Sequence, residues 1–169
     1  GILKLDGSGS IDNSPTIIVG DAGSSGAVLD VATKTGGFTV GASQTLKGSG
    51  MISGGVNVTG VLAPGASVGT LGSGNLTFNN LSTYQYQVDS SVSHTVGADL
   101  MKVSGNLNLA LTGTVTLSLS DIAVSKTAFT TGTIFSLINY TGTWNNGLFT
   151  MGGVALADVE ATDEGALAG

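Results

Sequence analysis

The fold is decided by the stretch Gly55-Val56-Asn57-Val58-Thr59-Gly60-Val61-Leu62. Its valines and leucine at even positions share one side of an extended chain, and Asn57 and Thr59 share the other. This follows because side chains two residues apart project from the same face of a strand. Glycine stands at both ends of residues 56–59, where a tight turn favours a residue without a side chain. The stretch therefore predicts a short strand, dry on one face and hydrated on the other, between two glycine corners.

The same pattern extends through the first half of the chain. Gly-Ser, Gly-Gly, Asp-Ala-Gly and Pro-Gly connectors separate the apolar runs, and helix formers are too scarce to compete. Strands are predicted at residues 2–5, 16–19, 27–31, 37–40, 44–46, 51–52, 56–58 and 61–63.

The second half keeps this alternation over longer runs. From Asn106 to Ser120, every odd position is apolar or glycine, and every even position is polar or alanine. A single strand of that length would far exceed the usual 3–10 residues. We therefore expect the chain to bend near Thr112 and Gly113 while it keeps its inside-out pattern.

Two all-β architectures fit these strands. Brief strands with glycine corners favour a β-solenoid, in which each coil stacks on the next with equivalent strands aligned. A sandwich or jelly roll would need longer, mostly antiparallel strands. We predict one solenoid domain over residues 1–169, with short-strand coils over 1–72. Residues 73–169 form either larger coils or an antiparallel β cap.

Composition limits the function classes. Of the 169 residues 28 are glycine, only 9% are charged, and arginine and cysteine are absent. A net charge of −6 disfavours nucleic acid and anionic membranes as partners. No apolar run approaches the roughly 20 residues of a membrane-spanning helix. Abundant Gly, Ser, Thr and Asn with little Lys is typical of secreted bacterial surface proteins, which predicts an extracellular or cell-surface location.

Several longer segments resemble a known repeat. Residues 36–50 and 54–71 carry a Thr-Leu-x-Gly-x-Gly cadence that ends in a Pro-Gly-Ala-Ser turn. Residues 75–78 read Asn-Leu-Thr-Phe, and residues 99–107 and 135–143 are similar to the steps that follow. Together they resemble the autotransporter-associated β-strand repeat. The resemblance implies a right-handed parallel β-helix from a large secreted or surface protein, and it implies no catalytic residues.

Isolated residues offer weak alternatives to a structural role. His94 has no triad partner in the sequence around it, and we interpret it as a loop residue. Asp6 to Asp12 places oxygen ligands at alternate positions, as a calcium loop does, but lacks the closing glutamate. Asp89 and Asp99 would form a glycosidase pair only if they faced each other across a cleft. We assign no catalytic residue, cofactor or metal ligand.

Threonines form a second candidate surface. Thr112, Thr114 and Thr116 share one parity, and further threonines lie at positions 130, 131, 133, 141 and 143. A flat hydroxyl face of this kind would fit an ice- or glycan-binding module, with extracellular glycans as ligands. Threonine also suits any hydrated strand surface, because its branched side chain favours β-structure.

Both ends of the predicted solenoid look open. The first strand follows Gly1 directly, and residues 154–159 are strand-like. Unpaired strand edges recruit further strands, so we expect copies to join head to tail into an extracellular filament or sheath. A passenger stalk or adhesin segment of a larger surface protein is the alternative. The residues expected at the joint are Ile2, Leu3 and Leu5 at one end and Val154, Leu156 and Val159 at the other.

Overall fold

The computed structural model describes residues 1–21, 23–24, 26–91, 97–129 and 133–156, together with the backbone of residues 159–160 and 166–168. No helix occurs among them. The strands are β1 (Ile2–Lys4), β2 (Thr16–Ile18), β3 (Val28–Asp30), β4 (Phe38–Val40), β5 (Thr45–Gly48), β6 (Met51–Ser53), β7 (Val56–Val58), β8 (Val61–Pro64), β9 (Thr70–Ser73), β10 (Leu76–Phe78), β11 (Thr83–Asp89), β12 (Gly97–Ala98), β13 (Leu100–Val103), β14 (Leu107–Leu109), β15 (Thr116–Asp121), β16 (Ile134–Ser136), β17 (Ile138–Tyr140), β18 (Thr150–Met151), β19 (Val154–Ala155), β20 (Val159–Glu160) and β21 (Ala166–Ala168).

Three sheets contain most of these strands. Sheet A has the order β1-β3-β6-β9-β13-β17, and sheet B has the order β4-β7-β10-β14. Sheet C runs β2-β5-β8-β11-β15-β18-β19, with β12 beside β11. The pairs within sheets A and B are parallel, and sheet C is parallel from β2 to β18.

The chain visits the sheets in a fixed cycle. It passes from A to B to C and back to A, as in β6, β7 and β8, and each new pass pairs with the one before it. Isolated bridges between Gly7 and Lys34 and between Leu107 and Trp144 extend sheet B to the first and last passes. This all-β arrangement of stacked parallel coils is consistent with a β-solenoid.

Parallel register places apolar side chains directly above one another. In sheet C, Ile17 pairs with Leu46, Leu46 with Leu62, and Leu62 with Tyr84. All are buried, and they belong to one hydrophobic cluster that extends from Leu5 to Phe149. Full burial of such a side chain stabilises a fold by about 1.5–3 kcal/mol. The column therefore provides both the register and much of the stability of the stack.

Asparagine side chains fasten the corner between sheets A and B. The Asn75 Oδ1 atom accepts the N–H of Asn106 at 2.8 Å, 31 residues further on, and Asn106 Oδ1 accepts the N–H of Thr143 at 2.9 Å, 37 residues further on. Earlier in the chain, Asn79 reaches Thr59 across only 20 residues. Coil length thus falls from 29 residues between Thr16 and Thr45 to 16 between Thr45 and Val61, and then rises to 37 between Met101 and Ile138.

The corner between sheets C and A takes up much of this added length. From β5 to β6 the chain crosses with only Ser49 and Gly50 between the strands, and from β8 to β9 it uses residues 65–69. Between β15 and β17 the connection extends from Ile122 to Leu137 and includes β16. One edge of the stack therefore carries most of the variation in loop length.

The predicted bend in residues 106–120 is confirmed. Strand β14 ends at Leu109 and β15 begins at Thr116. Gly113 lies between them with φ +98°, a conformation that residues with a side chain rarely adopt. The parity holds on both sides of the break, where Leu107, Leu109, Val115 and Leu117 are buried, but Leu111 in the bend and Leu119 near the end of β15 are exposed.

Among the described residues, the antiparallel pairs of named strands lie from β11 onward, and an isolated antiparallel bridge joins Gly48 to Gly65 earlier in the chain. The strand pairs join β11 to β12, β18 to β19, and β21 to both β16 and β20. The division at residue 72 into short-strand coils and larger coils or a cap stays a prediction.

Close coil contacts make some glycines irreplaceable. A Cβ atom at Gly60 would overlap the carbonyl oxygens of Gly41 and Gln44, whereas at Gly55 the nearest atom would be Asn75 O at 3.6 Å. We expect Gly60→Ala to lower the free energy of unfolding by about 2 kcal/mol or more, since backbone must shift. Gly55→Ala should lie within about 0.5 kcal/mol of wild type. Urea denaturation of both variants measures this, and equal losses would contradict the steric account.

The asparagine contacts give a second prediction. Asn106→Ala removes the acceptor for the Thr143 N–H, so we expect a loss of about 1 kcal/mol in unfolding free energy. Asn108→Ala, on the outer face of β14, is the matched control and should change stability by less than half as much. A loss for Asn108→Ala as large as that for Asn106→Ala would show that the corner contact is not the cause.

Candidate assembly face

The first coil leaves apolar side chains uncovered. Ile2, Leu3 and Ile18 are 75%, 56% and 58% exposed. Leu3 stands in the inward column above the buried Leu29, whereas Ile2 and Ile18 stand in outward columns, in register with Val28 and Lys47. All three exposed residues border a shallow concavity that also reaches Ile11. We call the surface formed by Ile2, Leu3, Ile11 and Ile18 the N-terminal face.

Strand edges accompany this apolar surface. In the described chain, β1 pairs only with β3, and β2 pairs only with β5. Each therefore presents one side of its backbone without a strand partner. Such an edge is a template for another strand. The N-terminal face thus offers a partner both unpaired backbone hydrogen-bonding groups and apolar surface.

Leu5 does not belong to this face. It is only 7% exposed and packs in the core, and its N–H donates to Asp30 O at 2.8 Å. The reason is geometric: Leu5 follows β1 and points inward over the next coil. Of the three residues expected at this end of the joint, the structure brings Ile2 and Leu3 together at the surface and places Leu5 beneath it.

The residues expected at the other end lie in different environments. Val154 is 68% exposed in β19, which runs antiparallel to β18. Leu156 is half-buried against the core, and its N–H donates to Phe149 O at 2.9 Å. Val159 lies in β20, which pairs with β21, and its side chain is outside the described residues. Val154 and Val159 thus belong to strands of two different sheets.

A threonine column runs up the outside of sheet C. Thr16 pairs with Thr45, and further along Thr83 pairs with Thr116 and Thr116 with Thr150. Val61 occupies the same column between Thr45 and Thr83. Because coil lengths vary, these residues have no constant spacing in the sequence, and sequence periodicity could not find them.

The threonines singled out from the sequence do not form one strand. Thr116 opens β15, whereas Thr112 and Thr114 lie in the preceding bend. Thr141 and Thr143 follow β17 at a corner, and positions 130 and 131 are outside the described residues. The predicted hydroxyl ladder is therefore broken, and of its described members only Thr116 joins the column on sheet C.

Exposed aspartates are held by local partners. Asp6 Oδ1 accepts the hydroxyl of Thr33 at 2.7 Å, and Asp6 Oδ2 pairs with Lys4 Nζ at 3.1 Å. These contacts lower the pKa of Asp6, with the Thr33 hydrogen bond the largest cause. Hydrogen bonds from serines, Ser24 and Ser90 respectively, likewise lower the pKa of Asp21 and Asp121. Among the described residues no cluster of three metal-ligating side chains occurs.

Asp89 and Asp99 have different surroundings. Asp89 binds the N–H and hydroxyl of Ser91 in a turn. Asp99 is 1% exposed, and its two oxygens accept N–H groups from Gly69 at 2.9 Å and Gln87 at 2.8 Å. Burial raises the pKa of Asp99 to about 7 against the opposing effect of these hydrogen bonds. Asp99 thus sits in a closed corner and not on a substrate cleft, and His94 lies outside the described residues.

Comparison with known proteins identifies no relative. The chain matches no family model, no curated protein and no solved structure. The resemblance to the autotransporter-associated repeat therefore stays a prediction from the sequence. No helix long and apolar enough to cross a bilayer is found in the described part of the chain.

Proposed function

We propose that this chain is a structural subunit of an extracellular or bacterial cell-surface filament or sheath, built as a right-handed parallel β-helix. The topology supports the handedness, because crossovers between parallel strands of one sheet are right-handed in about 98% of cases. The repeat resemblance over roughly residues 2–150 supports the location. No catalytic residue enters this role.

The N-terminal face is the observation that carries the proposal. Leu3 stands above Leu29 in sheet A with no side chain over it, and Ile18 is exposed beside the edge of β2. A further parallel coil laid on this face would repeat the contact that each internal coil already makes. Such a coil would bury Leu3 and pair the free backbone of β1 and β2.

A second copy is the proposed source of that coil. Joining the last coil of one copy to the first coil of the next is a heterologous contact. Repetition of such a contact gives an open fibre when its rotation does not close a ring. Val154 and the adjoining β19 backbone form the described part of the C-terminal surface that would meet the N-terminal face of the next copy.

The stalk or adhesin alternative has one observation in its favour. Sheet C ends on the antiparallel strand β19, and β16 pairs with β21 instead of extending a parallel sheet. Antiparallel closure would make the C-terminal side a poorer acceptor for strand addition. In that case the N-terminal face would be covered by other coils of a larger surface protein.

Charged substitutions at the two ends distinguish these functions. In the filament, Leu3→Asp should weaken self-association at least about tenfold, because a charge would be buried in the inward column at the joint. Val154→Lys should weaken it as well, since head-to-tail contacts use both ends. Sedimentation velocity over a concentration series, with negative-stain microscopy, measures the effect.

Leu81→Lys is the matched control. Leu81 is as exposed as Ile2 but lies in the connection between sheets B and C, away from both ends, so this variant should associate like wild type. Association that survives Val154→Lys but not Leu3→Asp would reject the head-to-tail fibre. Wild type that remains monomeric at high concentration would reject self-assembly and favour the stalk.

A further inference from the structure

A polar concavity lies on the outer side of β4, where Thr39 is exposed between two buried residues. Its volume is about 330 Å³, at the low end of the roughly 300–1,000 Å³ that small-molecule sites occupy. Glycines form part of its wall, and its side chains come from Asp12, Lys34, Thr35, Thr39, Ser43 and Gln44. No residue of the N-terminal face lines it, so it is a separate surface.

A buried glutamine holds one wall of this concavity. Gln44 is only 4% exposed, and its Nε2 atom donates to Ile11 O at 3.1 Å and to Ser14 O at 2.8 Å. Its Oε1 atom accepts the Gly41 N–H at 2.9 Å. These bonds tie the turn that carries Asp12 to the connection between β4 and β5. The wall is therefore fixed by a side chain that is itself part of the interior.

Backbone bonds hold the opposite wall. Lys34 forms a parallel bridge with Gly7, and the Thr35 N–H donates to Gly7 O at 2.8 Å. The Gly37 N–H donates to Lys34 O at 3.1 Å, which closes the turn before β4. Because both walls are fastened in this way, the concavity is formed before any ligand arrives.

Most polar side chains of the concavity are left without a protein partner. Within the described chain, neither Lys34, which is half-buried, nor Asp12 takes part in an ion pair. The hydroxyls of Thr35, Thr39 and Ser43 likewise make no hydrogen bond to another described residue. One ammonium, one carboxylate and three hydroxyls therefore stand around one small space with their hydrogen-bonding capacity unused.

This set of groups matches a sugar that carries a carboxylate. A lysine ammonium forms strong, charge-assisted hydrogen bonds with a carboxylate. Hydroxyls both donate and accept, and an aspartate accepts, so the remaining groups suit the hydroxyls of a sugar ring. The described lining contains no apolar side chain, which disfavours a fatty or aromatic ligand.

We propose that this concavity, the Lys34 site, binds one acidic sugar unit of an extracellular glycan. The sugar carboxylate lies at Lys34, and its ring hydroxyls lie at Asp12, Thr39 and Ser43. A net charge of −6 makes the rest of the surface unattractive to anions, so binding should be confined to this site. The inference does not depend on the assembly proposed above, because it uses no residue of the N-terminal face.

A chemical-shift titration of the ¹⁵N-labelled protein tests the Lys34 site. The probe is D-glucuronate, and D-glucose is its neutral match, since the two differ only in the carboxylate. Glucuronate should shift the amides of Lys34, Thr39 and Ser43 and should bind at least about tenfold more tightly than glucose. Acetate, which has the charge without the ring hydroxyls, should also bind at least about tenfold more weakly than glucuronate.

Variants assign the binding to named groups. Lys34→Met should lower glucuronate affinity at least about tenfold, whereas Lys102→Met, at an exposed lysine of sheet A, should bind like wild type. Thr39→Val keeps the shape of the side chain but removes its hydroxyl. It should weaken glucuronate binding severalfold and leave the urea midpoint unchanged, which separates a ligand contact from a structural role.

Three results would overturn the proposal. Glucose or acetate that binds as tightly as glucuronate would remove the need for an acidic sugar. Glycine that binds as tightly as glucuronate would assign the two charges to an amino acid instead. Shifts spread over the surface lysines, with equal losses in Lys34→Met and Lys102→Met, would show unspecific ionic attraction. The wild-type titrations decide the first two outcomes without any variant.

Discussion

Backbone hydrogen bonds between successive coils are the interaction on which the rest of this structure depends. They fix the parallel register, and the register places Leu46 above Ile17 and Leu62 above Leu46 without any further specification. The coils can approach so closely only where side chains are absent, as at Gly60 beneath the carbonyls of Gly41 and Gln44. Glycine is thus required at those corners where the backbones of neighbouring coils come closest.

The same interaction explains why the first coil has both free strand edges and exposed apolar side chains. Each internal coil is sandwiched between two others, but β1 and β2 have a strand partner on one side only among the described residues. The inward column continues to Leu3 and then stops with that side chain more than half exposed. Leu3 and the free edges of β1 and β2 therefore form the surface on which a further coil could stack.

Local alternation in the sequence was enough to predict most of the strands. Val56 and Val58 belong to the core as expected, and the bend near Gly113 lies where strand length required it. Leu5 shows the limit of this reasoning. Alternation in the sequence cannot tell which apolar residues of the first coil are buried, because their burial depends on where the next coil lies. The threonine column of sheet C could not be predicted for a related reason. Its members pair between coils of unequal length, so their spacing in the sequence is irregular.

Buried polar groups were harder still to foresee. Asp99 belongs to a segment that resembles a repeat step, and nothing in its neighbours signals that its carboxyl is enclosed. Its environment arises from Gly69, which lies 30 residues earlier in the chain, and from Gln87 on the adjoining strand. Only the fold brings these two backbone amides to one carboxyl, so the site is a product of topology.

The uneven connections between sheets C and A have a consequence for how such a molecule can change. Ser49 and Gly50 suffice for one crossing, while another uses residues 122–137, yet β6 and β17 are both strands of sheet A. Insertions at this edge leave the stacking of neighbouring layers intact. The edge is therefore the place where foreign segments could be grafted, or where natural variation could accumulate, without disturbing the rod that carries them.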